Sequence, residues 1–150
     1  LEVISQLLAG QGGRLFLELR DRQGLAYSVT ASHVDGLGTG TFSTYIGTSP
    51  DKLDAARAGL MRELEKLLAS EPEPAELERA RRYLAGNHCI DLQRNASHAA
   101  HVALDALYGI APDAYQSLPE RIAAVTPADV LRVAKRVIRL DARSEAVVRP

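Results

Sequence analysis

The chain has 150 residues, 46% of them hydrophobic, so it can bury one sizeable core and we expect a single domain over residues 1–150. Its 18 basic and 19 acidic side chains give a formal net charge of -1 without a run of like charge, which argues against nucleic acid or an anionic membrane as partners. Its apolar runs are too short to span a membrane, so we expect a soluble protein. Its one cysteine cannot form an intrachain disulfide, which leaves the compartment open between cytoplasm and periplasm.

The first third of the chain predicts short helices followed by a β-hairpin. Residues 2–9 form an apolar segment that is too short to be stable as an isolated helix, and the glycines of GQGG follow it. Residues 14–22 have helical periodicity with charged residues on one side, and Gly24 can end that helix. The period then changes to two, which predicts a hairpin over residues 25–47 with its turn at Asp35-Gly36.

The remainder of the chain predicts helices. The apolar stripes indicate five of them, at about 51–69, 75–94, 96–108, 113–123 and 127–138. Ser49-Pro50-Asp51 begins the first with a hydroxyl cap, and Thr126-Pro127-Ala128-Asp129 begins the last. The final SEAVVRP is short and β-like. We therefore predict an α+β fold of two layers, in which several helices, the two longest among them, pack on one face of a small, largely antiparallel sheet.

Four histidines and one cysteine raise the question of a metal site. His98 and His101 share a helix face at the spacing i,i+3, and His88, Cys89 and Asp91 lie just upstream. The chain contains neither H-x-x-E-H nor H-E-x-x-H nor C-x-x-C, so a hydrogen-bonded core histidine at His88 and a buried structural thiol at Cys89 are the stronger predictions. An independent metal enzyme that uses the three helical histidines stays as an alternative.

Arg20 and Tyr27 flank the junction between the second predicted helix and the hairpin. By position alone, Arg20 complements the negative end of a short helix and Tyr27 fills a half-buried strand position. The chain has no G-x-S-x-G nucleophile motif, and GQGG lacks the Lys-Ser/Thr of a phosphate-binding loop. Spacing alone therefore favours a structural role for both residues.

Four blocks of the sequence carry a family resemblance: LLAGQGGRLFLELRDRQGLAYSV, GTFSTYIGTSPDKLDAA, PEPAELERARRYLAGN and RIAAVTPADVLRVAKRVI. In this order they resemble the C-terminal type of domain of the pitrilysin/insulinase zinc peptidases, a family that includes the mitochondrial processing peptidases and many bacterial relatives. The blocks cover almost the whole chain, and their order is more specific than any one of them. The resemblance is to the domain that does not hold zinc.

The resemblance implies a non-catalytic half of a zinc metallopeptidase, with no catalytic residue and no metal ligand of its own. The active half of such enzymes carries H-x-x-E-H and a distant glutamate, so zinc is expected on a homologous partner half, in the same chain or on a separate subunit. The inactive half carries an arginine and a tyrosine in a stretch like LRxxxGLxY. These fall on Arg20 and Tyr27, which the resemblance implies as substrate-binding residues.

The resemblance also implies the substrate and the extent of the fold. The family's substrate is an extended peptide that is added to a sheet edge. Its domain begins with a strand before the helix at residues 2–9, so we expect a fragment of a longer two-domain chain with one strand missing from its sheet. The brief GQGG argues against presequence sensing. Some relatives are scaffold subunits without peptidase activity, so a structural interaction domain is the alternative, although the presence of both Arg20 and Tyr27 favours the peptidase role.

Overall fold

The fold consists of helices arranged around one antiparallel hairpin in the computed structural model, which describes residues 1–36 and 38–149. The elements are α1 (Glu2–Ala9), a π-helical turn (Phe16–Arg22), β1 (Ser28–Val34), β2 (Thr41–Gly47), α2 (Leu53–Ala69), α3 (Pro74–Asp91), α4 (Asn95–Leu107), α5 (Leu118–Ala123) and α6 (Pro127–Val137). Short 3₁₀ turns lie at Pro50–Lys52, Ala114–Ser117 and Leu140–Ala142. The predicted α+β class is confirmed.

The hairpin has one buried and one exposed face. Its register runs from the pair Ser28 and Gly47 to the pair Val34 and Thr41. The inner face packs on the core through Val29, Ala31, Phe42 and Ile46, and it also carries the half-buried His33 and Thr44. The outer face carries exposed hydroxyl side chains, namely Ser28, Thr30, Ser32, Thr41, Ser43 and Tyr45. Because side chains alternate between faces with a period of two, this division follows from the sequence pattern that predicted the hairpin.

α1 lies at the centre of the core. Its residues Val3, Ile4, Leu7 and Leu8 are buried, and the helix contacts both β1 and α3. A helix of eight residues is not stable in isolation, so this packing is what holds it in helical form. α2 reaches β2 as predicted, but α3 packs on α1 and α5. The prediction that the helix at 75–94 covers the sheet is therefore wrong, and α1 takes that position.

The predicted apolar stripes are otherwise confirmed. Leu64 and Leu77 are buried, and Leu60 and Leu84 pack against the same core. α6 begins at a capping box, since the Asp129 N–H donates to Thr126 Oγ1 at 3.1 Å and the Thr126 N–H donates to the Asp129 carboxylate at 3.1 Å. Arg132 and Thr126 both donate to that carboxylate, which holds the pKa of Asp129 well below its ordinary value.

Three local predictions are wrong. The Ser49 side chain makes no capping hydrogen bond to the described backbone at the turn Pro50–Lys52. Cys89 is exposed, because its neighbour His88 occupies the buried side of α3 and adjacent helical residues point about 100° apart. The segment at 143–149 forms no regular structure, and Val148 is 97% exposed. A β-like segment becomes a strand only where a partner strand satisfies its backbone groups.

Gly24 and Gly86 provide a matched test of the backbone. Gly24 has φ +58°, and the Leu25 N–H that follows it donates to the Leu19 carbonyl at 2.8 Å. Because a Cβ makes this left-handed conformation unfavourable, Gly24→Ala should lower the free energy of unfolding by about 1–2 kcal/mol. Gly86 lies within α3, and a Cβ there would meet nothing within 4 Å, so Gly86→Ala should raise it by about 0.5–1 kcal/mol. Urea denaturation measures both. A stabilising Gly24→Ala would contradict the left-handed conformation.

Candidate functional site

Arg20, the first of the two predicted substrate-binding residues, lies on the π-helical turn Phe16–Arg22. The Gln23 N–H donates to the carbonyl of Glu18, five residues back, at 3.1 Å. The sequence predicted an ordinary helix over 14–22, because the 3.6-residue period does not distinguish a turn widened by one residue. Single π turns are rare and occur frequently at functional sites. The turn places Phe16 beneath the guanidinium of Arg20.

Two contacts fix this turn against the rest of the fold. Leu19 is fully buried and packs on Gly59 of α2, where a Cβ would come within 2.5 Å of Leu19 Cδ2. Just before the turn, Arg14 donates two hydrogen bonds to the Glu76 carboxylate of α3, at 2.7 and 2.9 Å. Both side chains of that pair are largely buried, and the hydrogen bonds from Arg14 to Glu76 raise the pKa of the guanidinium. The turn is therefore anchored to two helices.

The structure brings Arg20 and Tyr27 together. The Arg20 Cζ lies 4.6 Å from the Phe16 ring centroid and 5.1 Å from that of Tyr27, within the range of cation–π attraction. Among the described residues, the Arg20 side chain has no carboxylate within 4.0 Å and makes no hydrogen bond. Tyr27 precedes β1 and is 85% exposed, so the half-buried strand position suggested by spacing is wrong.

A shallow groove opens beside Tyr27, at the end of the hairpin opposite its turn. Its volume is about 510 Å³, and it lies between residues 24–28 and residues 45–52. Its side chains that can hydrogen-bond are Tyr27, Ser28, Tyr45, Thr48, Ser49 and Lys52. Sequence reasoning missed Phe16, Tyr45 and Lys52. Only the spacing of Phe16 and Arg20, at i and i+4 on a helix, gave a signal for any of the three.

The histidines form a separate cluster around Tyr115. His88 Nε2 lies 2.8 Å from the Tyr115 carbonyl, His98 Nδ1 lies 3.3 Å from its hydroxyl, and the His101 ring stacks on its ring. The buried, hydrogen-bonded His88 is confirmed. His101 Nε2 lies 3.5 Å from Asp91 Oδ2. Each imidazole is thus engaged by a neighbour, and within 1–36 and 38–149 no group of three or more His, Cys, Asp or Glu side chains could hold a metal ion. The cluster does not fit zinc.

Comparisons with known proteins support one family. The sequence pattern of the peptidase M16 inactive domain matches residues 1–84. An uncharacterized zinc protease of Rickettsia bellii is 30% identical over 97% of this chain and 36% of its own length, and one of Streptomyces coelicolor is 29% identical over 86% of the chain and 28% of its own length. The chain therefore spans about a third of the length of these relatives.

Solved structures share the fold. The peptidase M16 inactive domain of Pseudomonas fluorescens matches 93% of this chain with a TM-score of 0.85 at 21% identity, and the match covers 34% of that chain. An inactive peptidase domain from Bordetella parapertussis matches 97% of this chain with a TM-score of 0.82 at 22% identity, over 79% of that chain.

The fold and the sequence matches thus define an α+β domain of the class called peptidase inactive domains. The chain belongs to the family of peptidase M16 inactive domains, which confirms the resemblance seen in its sequence. None of the described helices is long and apolar enough to cross a lipid bilayer.

Gly59→Val tests the anchor of the π turn. A branched side chain at this position would collide with Leu19, which is fully buried and cannot move into solvent, so the free energy of unfolding should fall by about 1–3 kcal/mol. Chemical denaturation gives the value. Ala58→Val, on the exposed neighbouring position of α2, is the control for the helix propensity of valine and should cost less than about 1 kcal/mol. Equal losses in the two variants would contradict close packing at Gly59.

Proposed function

We propose that this domain is the non-catalytic half of a zinc metallopeptidase and that it binds and orients peptide substrate through Arg20 and Tyr27. The observation that carries the proposal is their arrangement. A guanidinium without a carboxylate partner in the described chain lies 5.1 Å from the ring centroid of an exposed tyrosine, at the edge of an open groove. A half-buried guanidinium with no acceptor among the described residues and the hydroxyl of an exposed tyrosine suit the recognition of a ligand better than they suit the stabilisation of a core.

The packing of Arg20 explains how it could be both ordered and available. Contact with the faces of Phe16 and Tyr27 restrains the guanidinium without using its N–H groups. Those five donors can then serve a peptide carbonyl. Hydrolysis of a peptide bond places negative charge on the carbonyl oxygen, and donors already in position stabilise it because they need not reorganise. Neither Arg20 nor Tyr27 has to titrate in this role.

We place the zinc site on a homologous half, in the same chain or on a separate subunit. The histidines of this domain support that choice, since those around Tyr115 already have neighbours. Zinc on that half would supply an activated water for hydrolysis. The contribution of the present chain is binding and orientation of an extended peptide. Because the relatives are about three times longer, we propose that the domain works within a longer two-domain protein or a two-subunit enzyme.

One observation favours a structural interaction domain as the second candidate. α4 has no buried residue among its described positions, and its exposed side chains include Val102, Leu104 and Leu107. An exposed cluster of large apolar side chains is typical of a surface that is covered by a partner. A scaffold role would leave Arg20 and Tyr27 without effect on peptide turnover, so the same variants distinguish the two candidates.

The proposal predicts that the purified 150-residue chain binds no stoichiometric zinc and cleaves no peptide, because it has neither the ligand motif nor a base beside it. Elemental analysis after dialysis and a fluorogenic peptide assay measure the two properties. One tightly bound zinc per chain that is lost in both His98→Ala and His101→Ala would overturn this prediction and restore the metal-enzyme alternative.

The role of the pair is tested in the enzyme assembled with its zinc-bearing half. Tyr27→Phe keeps the ring that contacts Arg20 and removes only the hydroxyl, and Arg20→Ala removes the guanidinium. Each should reduce kcat/KM on the order of a hundredfold, the effect of about 2–4 kcal/mol for one lost transition-state donor. The double variant should lose less than the product of the two effects, because both donors serve one region of the substrate.

Tyr83→Phe on α3 and Arg136→Ala on α6 are matched controls, since each removes the same group from an exposed position outside the site. Their kcat/KM should stay within about twofold of the parent enzyme. If Tyr27→Phe and Arg20→Ala behave like these controls while circular dichroism shows an intact fold, the pair takes no part in substrate binding.

A further inference from the structure

We propose that the groove beside Tyr27 binds a carboxylate group of the peptide and that Lys52 is the cation that recognises it. This inference rests on the proposed function and deepens it, since it names an acidic peptide as the preferred substrate class. Lys52 is then a specificity-determining residue. It lies on the 3₁₀ turn before α2, and Arg20 is not among the residues that line the groove.

The ammonium of Lys52 is held at the groove by a hydrogen bond to the backbone, and the exposed Asp51 carboxyl attracts it electrostatically but lies beyond ion-pair distance. Its Nζ donates to the Gly24 carbonyl at 3.0 Å, which joins the turn before α2 to the residue that ends the π turn. An ammonium has three donors, so two remain for a ligand. Lys66, by contrast, pairs with Glu63 at 2.6 Å, whereas Lys52 has no carboxylate oxygen within 4.0 Å in the described part of the chain.

Two phenol groups also line the groove, one on each of its two segments. Tyr45 is 59% exposed, and its hydroxyl lies over Gly47, where a Cβ would come within 3.1 Å of it. The absence of a side chain at Gly47 therefore leaves room for the Tyr45 phenol over the end of β2. Tyr27 lines the same groove. A carboxylate placed there could accept hydrogen bonds from the two phenols and an ion pair from Lys52, and such charge-assisted bonds are the strong ones.

The other polar side chains at the groove contribute less to ligand binding, because some of their donors are already used. Thr48 Oγ1 donates to the Leu25 carbonyl at 2.6 Å, so this hydroxyl is already used. The neighbouring Ser49 hydroxyl lowers the pKa of the Asp51 carboxyl. Asp51 is exposed and does not line the groove. Because no lining side chain is acidic and one is a lysine, the groove favours an anionic ligand over a cationic one.

Peptide titration of the 150-residue chain, followed by amide chemical shifts, tests the inference. Three hexaalanine-based peptides with acetylated N-termini are compared: one with a central Glu and an amidated C-terminus, one with Gln and an amidated C-terminus, and one with Gln and a free C-terminus. We expect the Glu peptide to bind about three- to fivefold more tightly than the amidated Gln peptide, which is the upper part of the range for an exposed ion pair. Tighter binding of the third peptide would assign the groove to a terminal carboxylate instead of an acidic side chain.

Lys52→Gln should abolish this preference, whereas Lys135→Gln, an exposed lysine on α6 without an ion pair in the described chain, should leave it intact. Higher salt should reduce the preference, as it does for exposed charges. Equal affinities for all three peptides, no binding of any of them, or a preference that survives Lys52→Gln would each overturn the inference. The proposed function has a separate outcome, because it fails only if Arg20→Ala and Tyr27→Phe leave turnover unchanged in the assembled enzyme.

Discussion

The contact between Leu19 and Gly59 is the constraint on which the site depends. Leu19 is the buried residue of the π turn, and it fits only because α2 has no side chain at Gly59. With Leu19 inward, the next residue along the widened turn is Arg20, whose guanidinium lies over Phe16. The close approach of α2 to the π turn at Gly59 thus determines the position of the Arg20 guanidinium.

The open end of the hairpin is stabilised by the elements around it. Gly24 ends the π turn with a positive φ, and its carbonyl accepts from Lys52 before α2 begins. The Leu25 carbonyl accepts from Thr48 after β2 ends. These two bonds join both sides of the groove, so side-chain-to-backbone hydrogen bonds tie the segment that carries Tyr27 to the segment that carries Lys52. Contacts that are already formed in this way lower the cost of reorganisation that the binding of any ligand would otherwise carry.

Buried polar groups elsewhere in the fold have a structural role. His88 is buried, yet its Nε2 finds the Tyr115 carbonyl at 2.8 Å, which satisfies a group that would otherwise cost free energy in the core. His98 and His101 surround the same tyrosine and join α4 to the turn before α5. The histidines thus help to hold the helices together, while Tyr27 and Tyr45 at the groove stay open to solvent.

The sequence by itself determined the hairpin, the helices with long apolar stripes, the start of α6 and the family, because each depends on local periodicity, capping or the order of several motifs. It also singled out Arg20 and Tyr27, but only through the resemblance, since spacing favoured a structural role. The tertiary structure decided what local pattern does not contain: the π turn, the central place of α1, the exposure of Cys89 and the groove between Tyr27 and Lys52. Those features depend on contacts between residues far apart in the chain, such as Leu19 with Gly59 and Lys52 with Gly24. A one-dimensional period cannot specify such contacts, because packing of the whole core selects them.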